Sequence, residues 1–418
     1  MENTPRSMRL QITVAGRTNS GKSSFVNLIA GQDVAITSPI PGTTTDVVEK
    51  PMELRPLGPV LFLDTAGIDD QTALGNRRVE RSERAFNRAD VLLLVTCAKT
   101  WGVPEENILA IARDRKVNLI PVINKIDELP PDADFINMLK EKCGIEPLCV
   151  CATGGAQERE RVLPQLKDAL LSACPDDFIQ APPLLGDLVK PTDTVVMIVP
   201  VDVQAPKGRL ILPQVQSIRD ALDHNCIAMV VKETEFPNAL KQLKTPPKLV
   251  ICDSQVVELM IRETPPQIAC TTFSVLFARL KGDMPLLAAG AAAINQLQPG
   301  DKVLIAEACT HHSSDDDIGR VKIPRWLAKK VGGDLAITVA AGRDYPSTLS
   351  DFKLVIHCGS CMLNRRETLR RMELARRANV PITNYGMAIS ECHGVLERIL
   401  SPFGDALESY RQAAGKIS

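Results

Sequence analysis

Residues 9–31 read RLQITVAGRTNSGKSSFVNLIAG, and this stretch decides the fold. The apolar, β-branched run RLQITVA has the pattern of a buried strand, while FVNLIAG carries apolar residues at helical spacing. Between them GRTNSGKSS (16–24) fits G-x-x-x-x-G-K-[ST] in the strand-to-helix context that the motif requires. Gly16 and Gly21 let the backbone curl so that its N–H groups face phosphate oxygens, aided by the dipole of the following helix. Lys22 is placed to reach the β- and γ-phosphates, and Ser23 to ligate Mg2+. Asn19, Ser20 and Ser24 complete the lining of the loop.

Four further segments follow in the order such a site needs. PGTTTD (41–46) lies where a threonine must cover the Mg2+ and order a loop when a γ-phosphate is present; Thr44 is the choice, with Thr43 and Thr45 as competitors. DTAG (64–67) closes the strand VLFL, so that Asp64 can hold the metal's water shell and Gly67 can turn its N–H to the γ-phosphate. NKID (124–127) ends the strand LIPVI, and Asn124, Lys125 and Asp127 suit a guanine base, whose ring N–H and exocyclic amine Asp127 accepts. CATGG (151–155) could put the Ala152 N–H at guanine O6. Together these select GTP over ATP.

The 418 residues leave room for two or three domains. From 9 to about 178, runs such as GPVLFLDTAG, ADVLLLVTCA, NLIPVINK and PLCVCAT alternate with helical patterns, the rhythm of a mostly parallel sheet covered by helices. The proline-rich stretch CPDDFIQAPPLLGDLVKPTD (174–193) reads as a linker. A smaller α/β domain is expected over 179–266, with strands TVVMIVPV, CIAMVVK and KLVICDS and no residues that suggest chemistry. A third α/β domain is expected over 267–418, with strands DKVLIAEAC, DLAITVA, FKLVIHC and VPITNYG. No internal repeat is legible.

Lys plus Arg (49) nearly balances Asp plus Glu (50), so no global basic field drives nucleic-acid binding. Aromatics, at 4%, are too few for broad base-stacking platforms. The most apolar stretch, MPLLAAGAAAI (284–294), is well short of the about 20 residues that span a bilayer. The N-terminus lacks the pattern of a signal peptide, and the 12 scattered cysteines fit reduced thiols, so a cytoplasmic protein is expected.

EACTHH (307–312) supplies Cys309, His311 and His312 at the end of one strand; HCGSC (357–361) supplies His357, Cys358 and Cys361 at the end of another. In an open parallel sheet, loops at the carboxyl ends of neighbouring strands meet in one crevice. A C-x-x-C turn lets two thiolates face one metal, with Gly359 relieving the turn and the next helix's N-terminus favouring thiolate. Three sulfurs plus an imidazole or an exchangeable ligand suit either zinc or an iron–sulfur cluster. Cys392, in SECHG, is either a further ligand or a buried thiol, with the buried thiol favoured, and the remaining cysteines read as packing residues.

The N-terminal segment resembles the translation-factor-related GTPases, in the branch of the tRNA-modifying and ribosome-assembly enzymes. Ile68 stands where a Ras-like enzyme has its water-orienting glutamine, which predicts slow intrinsic turnover. Asn19 matches the asparagine by which potassium-activated members hold K+, or is an ordinary loop amide. Across nearly its whole length, through C-x-H…H-C-x-x-C with DDDIGRVKIPRW and MLNRRE, the chain resembles the family of GTPases that mature iron-only (FeFe) hydrogenases. That resemblance implies a homodimer paired through the middle domain and a 4Fe-4S cluster on Cys309, Cys358 and Cys361. His311, His357 or a carboxylate such as Glu307 would fill the replaceable position. It further implies a scaffold that accepts a two-iron precursor made with two radical-SAM maturases and delivers it to the apo-hydrogenase. The rival expectations are a tRNA- or ribosome-directed GTPase with structural zinc, and a GTPase whose Cys358–Cys361 pair senses redox state.

Overall fold

The computed structural model describes residues 5–31, 48–65, 67, 85–179, 182–200, 210–308, 317–342, 345–346 and 348–415. Thr44 with its neighbours, Ile68, Cys309, His311 and His312 lie outside these residues. The chain divides into two compact units, Met1–Ala181 and Pro182–Ser418.

In the first unit six strands, β1 (Leu10–Ala15), β2 (Val48–Leu54), β3 (Gly58–Asp64), β4 (Val91–Cys97), β5 (Asn118–Asn124) and β6 (Leu148–Val150), lie in the order β2-β3-β1-β4-β5-β6. All neighbours are parallel except β2, which runs antiparallel to β3. The inner strands are apolar on both faces because helices cover both. Along β4, Val91, Leu93 and Val95 enter one core with Phe25 and Leu166, while Leu92 and Leu94 enter the other with Ile108 and Leu109. Strand β2 has no apolar run to betray it: its sequence is VEKPMEL, and Pro51 is tolerated because the strand is an edge.

The second unit holds two four-stranded parallel sheets. One comprises β7 (Thr194–Ile198), β8 (Ile227–Val231), β9 (Leu249–Cys252) and β10 (Ala269–Thr272), in the order β10-β9-β7-β8. The other comprises β11 (Lys302–Ala306), β12 (Ala336–Ala340), β13 (Leu354–His357) and β14 (Ile382–Asn384), in the order β12-β11-β13-β14. Each is wound alike: the first strand sits between the second and the third, and the fourth lies outside the third. This topological repeat was invisible in the sequence, because strand order is a property of pairing and not of composition. One continuous hydrophobic core runs through both sheets. Strand β10 pairs with β9, so the first of these sheets extends past Pro265 and Pro266.

The apolar stretch expected to be too short for a bilayer is the buried helix Met284–Ala292. Among the described residues no helix is long and apolar enough to cross a membrane. Gly290 lets this helix lie directly on β14, since a Cβ there would stand 2.0 Å from the Ile382 carbonyl oxygen. Gly290→Ala must push helix and strand apart, and a loss of about 3 kcal/mol in urea-unfolding stability is expected.

Candidate functional site

The nucleotide site sits at the carboxyl ends of β1, β3, β5 and β6. Gly16 has φ 153°, and a Cβ on it would meet the Val95 carbonyl oxygen at 2.2 Å. Gly21 has φ 90°, and its Cβ would fall 2.1 Å from Asn124 Nδ2. Only glycine passes through both points. Lys22 is buried and its ammonium donates to the carbonyls of Gly16 (3.2 Å) and Arg17 (2.7 Å), curled within the loop it would share with phosphates. Ser23 Oγ donates to Asp64 Oδ2 at 2.6 Å. Burial holds the Asp64 carboxyl above the usual range, against the Ser23 hydrogen bond and the charge of Lys22. Among the described residues Asp64 Oδ1 is buried without a hydrogen-bond partner. A hydroxyl and an incompletely satisfied carboxylate side by side are the donor set that Mg2+ takes.

Asn124 ties the base-binding loops together. Its Nδ2 donates to the Ser20 carbonyl, and its Oδ1 accepts from the Ala152 N–H, each at 2.9 Å. Lys125 adopts φ 60°, and Asp127 is exposed just beyond it. Gly67 packs on the phosphate loop, where a Cβ would reach Thr18 Oγ1 at 2.2 Å. Asn19 is left-handed, with φ 63°.

Sequence reasoning missed one pair here. Arg17 occupies a variable position of the loop motif, yet its guanidinium donates to both oxygens of Glu105 at 2.7 Å, and the Glu105 side chain is fully buried. Glu105 also accepts from the Gly102 N–H and so caps the helix Val103–Asp114. The phosphate loop is thereby fastened to a helix 88 residues away. Arg17→Ala strands a buried carboxylate, and about 3 kcal/mol of unfolding stability should be lost in denaturant titration.

The second site lies where β11 and β13 run side by side and their following loops part, the switch point of the sheet. Ala306 is in register with His357, and the Cys358 N–H donates to the Ala306 carbonyl at 2.9 Å. In return the Ala308 N–H donates to Cys358 Sγ at 3.1 Å. The chain position before Cys309 is therefore against the C-x-x-C turn. Among the described residues no three His, Cys, Asp or Glu side chains form a group that could hold a metal. An amide N–H on sulfur and two thiols on one turn suit a thiolate-bound metal group, and Cys309 is the next residue in the sequence after Ala308.

Two expectations about the turn are corrected. Gly359 is not the residue that relieves it: the left-handed position is Ser360, with φ 55°, and Gly359 has open space around its α-carbon. Nor is the next helix's N-terminus at the thiols. The helix Arg365–Arg377 starts four positions after Cys361, capped by the Asn364 side chain, which accepts from the Glu367 N–H at 3.2 Å. Ser360 Oγ instead donates to the Cys358 carbonyl at 3.4 Å.

His357 is fully engaged. Nδ1 donates to the Cys358 carbonyl at 2.9 Å, and Nε2 accepts from Arg371 at 3.1 Å, which places the ring proton on Nδ1. Burial, then the charge of Arg371, pushes its pKa down to about 4. Buried Arg371 also donates to the Gly342 carbonyl at 2.9 Å and lies over the Tyr345 ring. Glu307, nearly fully buried, accepts from Arg320 at 2.9 Å through Oε2, while Oε1 has no partner among the described residues. Lys281, unremarked in the sequence, lies buried beneath the turn, and desolvation pulls its ammonium down to about 8. Elsewhere burial pushes the thiols of Cys143 and Cys392 up to about 11 and about 12, keeping them protonated packing groups.

Family models match three parts of the chain: a 50S ribosome-binding GTPase over 11–125, a hydrogen maturase F dimerization domain over 184–282 and a hydrogen maturase F tetramerization domain over 285–402. The chain belongs to the hydrogen maturase F family. As a member of that family it carries a P-loop GTPase domain followed by a dimerization domain and a tetramerization domain. Over 162 residues it is 43% identical to the tRNA modification GTPase MnmE of Synechococcus sp. (strain JA-3-3Ab), covering 38% of this chain and 34% of that one. Over 169 residues it is 32% identical to GTPase Der of Persephonella marina, covering 38% and 37%. The chain thus spans about a third of the length of the curated relatives it matches. An Era structure from Aquifex aeolicus bound to GDP·AlF4− is 22% identical, with TM-score 0.36, covering 53% of this chain and 92% of that one.

Proposed function

We propose that this chain is a GTP-hydrolysing scaffold that holds a 4Fe-4S cluster through Cys309, Cys358 and Cys361, accepts the two-iron precursor of the FeFe-hydrogenase active site and delivers it to the apo-hydrogenase. The observation that supports this is the Ala308 N–H on Cys358 Sγ, which sets the residue before the third cysteine in the sequence against the turn holding the other two. Such a cluster, when bound, supplies an iron whose fourth ligand can be exchanged for the cargo without breaking the three thiolate bonds. His311 or the unpaired oxygen of Glu307 completes the site between deliveries. His357, whose ring nitrogens are both taken, positions the turn.

GTP acts as a timing signal. Lys22 leaves the carbonyls of Gly16 and Arg17 for the phosphates, Ser23 and Asp64 take the Mg2+, and Thr44 and Gly67 order their loops around the γ-phosphate, changing affinity for a partner. Asn19 holds the K+ that speeds an otherwise slow hydrolysis. The partners are the radical-SAM maturases and the hydrogenase, and the place of action is the cytoplasm. Pairing of two copies uses the edge strand β8, whose Ile227 and Val230 are exposed.

Anaerobic reconstitution of the full chain tests the reading. Iron and sulfide in about a four-to-four ratio, with a spectrum perturbed by imidazole or cyanide, supports it. Stoichiometric zinc, or a metal-free dithiol that cycles with a disulfide, overturns it.

A further inference from the structure

Lys281 ends the helix Phe273–Lys281, where a lysine ordinarily lies along the surface near the helix's own last carbonyls. Here it is only 3% exposed and turns inward. Its ammonium donates to the carbonyls of Leu363 (2.7 Å), Ser360 (3.0 Å) and Cys361 (3.4 Å), so all its donors are spent on one turn 79 to 82 residues away. The clasp is reciprocal. Arg365, just past the turn, donates to the carbonyls of Leu280 and Gly282, each at 3.0 Å, on either side of Lys281. Ser360, at the centre, is buried in the left-handed region that L side chains avoid. A residue persists there only where its surroundings over-determine it.

Resting on the metal-site reading above, we infer that Lys281 is the positioning residue of the C-x-x-C turn: by gathering three carbonyls it holds Ser360 left-handed and keeps the thiols of Cys358 and Cys361 directed to one centre. The carbonyl oxygens of a tight turn repel one another when drawn together, and a single ammonium with three donors is the side chain that can bind them at once. Without it the turn has a lower-energy alternative, Ser360 in an extended or right-handed conformation, which displaces Cys361 relative to Cys358. Preorganisation of ligands then has to come out of the affinity for the metal group.

Lys281→Met, similar in length but without donors, tests this in the full chain. In metal-free protein, amide hydrogen exchange over 358–363 should accelerate about tenfold, with the protection of β11 and β14 unchanged. In anaerobically reconstituted protein, iron should pass to a chelator about tenfold faster. Adding Ser360→Gly to Lys281→Met should recover much of both effects, because glycine adopts the left-handed conformation without strain. A role in general packing would not be rescued this way. Unchanged exchange at the turn, or no rescue by glycine, overturns the inference. If Lys281→Met loses its global fold by circular dichroism, Lys281→Gln, which keeps two donors, is read by the same criteria. A wild-type chain that takes up no iron defeats the scaffold reading alone, since the exchange measurement still decides the role of Lys281.

Discussion

Cys358→Ser is expected to empty the proposed metal site. Reconstituted wild-type chain should hold about four irons, and the variant should lose them to a chelator at least about 100-fold faster, beyond the 10–100-fold typical of losing an outer partner. Two observations set this apart from other cysteine substitutions. Cys358 Sγ accepts the Ala308 N–H, so the thiol fastens the end of the β11 segment in addition to its proposed role as a ligand. The carbonyls of the same turn are gathered by buried Lys281, and Arg371, paired with Glu367, holds the adjoining His357, so the substitution falls on a turn fastened from two sides. Cys392→Ser, by contrast, should leave iron retention unchanged, because burial already keeps that thiol protonated. Iron determination and anaerobic absorption spectra of the two variants side by side check both halves. Equal iron in Cys358→Ser and wild type would end the cluster proposal.

Lys22→Ala should reduce GTP hydrolysis by about 10³-fold, measured as single-turnover phosphate release, since it deletes a donor aimed at charge that grows in the transition state. The curled geometry makes the loss specific. Lys22 is buried against the Gly16 and Arg17 carbonyls, and the adjacent Arg17 is committed to Glu105 rather than to the phosphates. Lys22→Arg is no safe replacement, since a planar fork does not reproduce a compact ammonium that donates to two loop carbonyls. Iron content of Lys22→Ala should match wild type, as the cysteines belong to the other compact unit. Hydrogenase maturation should fall with hydrolysis. Were the variant to mature hydrogenase at the wild-type rate, GTP could not be the timing signal.

Much of both sites was legible from residues close together in the chain. The phosphate loop is a local object: Gly16, Gly21, Lys22 and Ser23 act through one strand, one turn and one helix, so their spacing alone implied their geometry. NKID and CATGG each end a strand with a continuous apolar run, so their place at the carboxyl edge of the sheet was readable, while the use of the Ala152 N–H on Asn124 was not. What could not be read depends on partners far away. Strand β2 is written in charged residues with a proline, and only its place at a sheet edge makes it a strand. Arg17 looked like filler until Glu105 was placed against it. His357 looked like a ligand until Arg371 occupied its second nitrogen.

By itself, the order of residues determined that this is a chain of parallel α/β sheets with a phosphate loop at its start and a C-x-x-C turn near its end, because strands, helices and tight turns are settled by side chains a few positions apart. Tertiary structure alone decided that β11 and β13 are neighbours, that Ser360 rather than Gly359 carries the turn's strain, and that Lys281 lies beneath it. Those facts arise from pairing and burial between segments tens of residues apart. Their energies are set by which groups end up side by side away from water, and no local pattern encodes that.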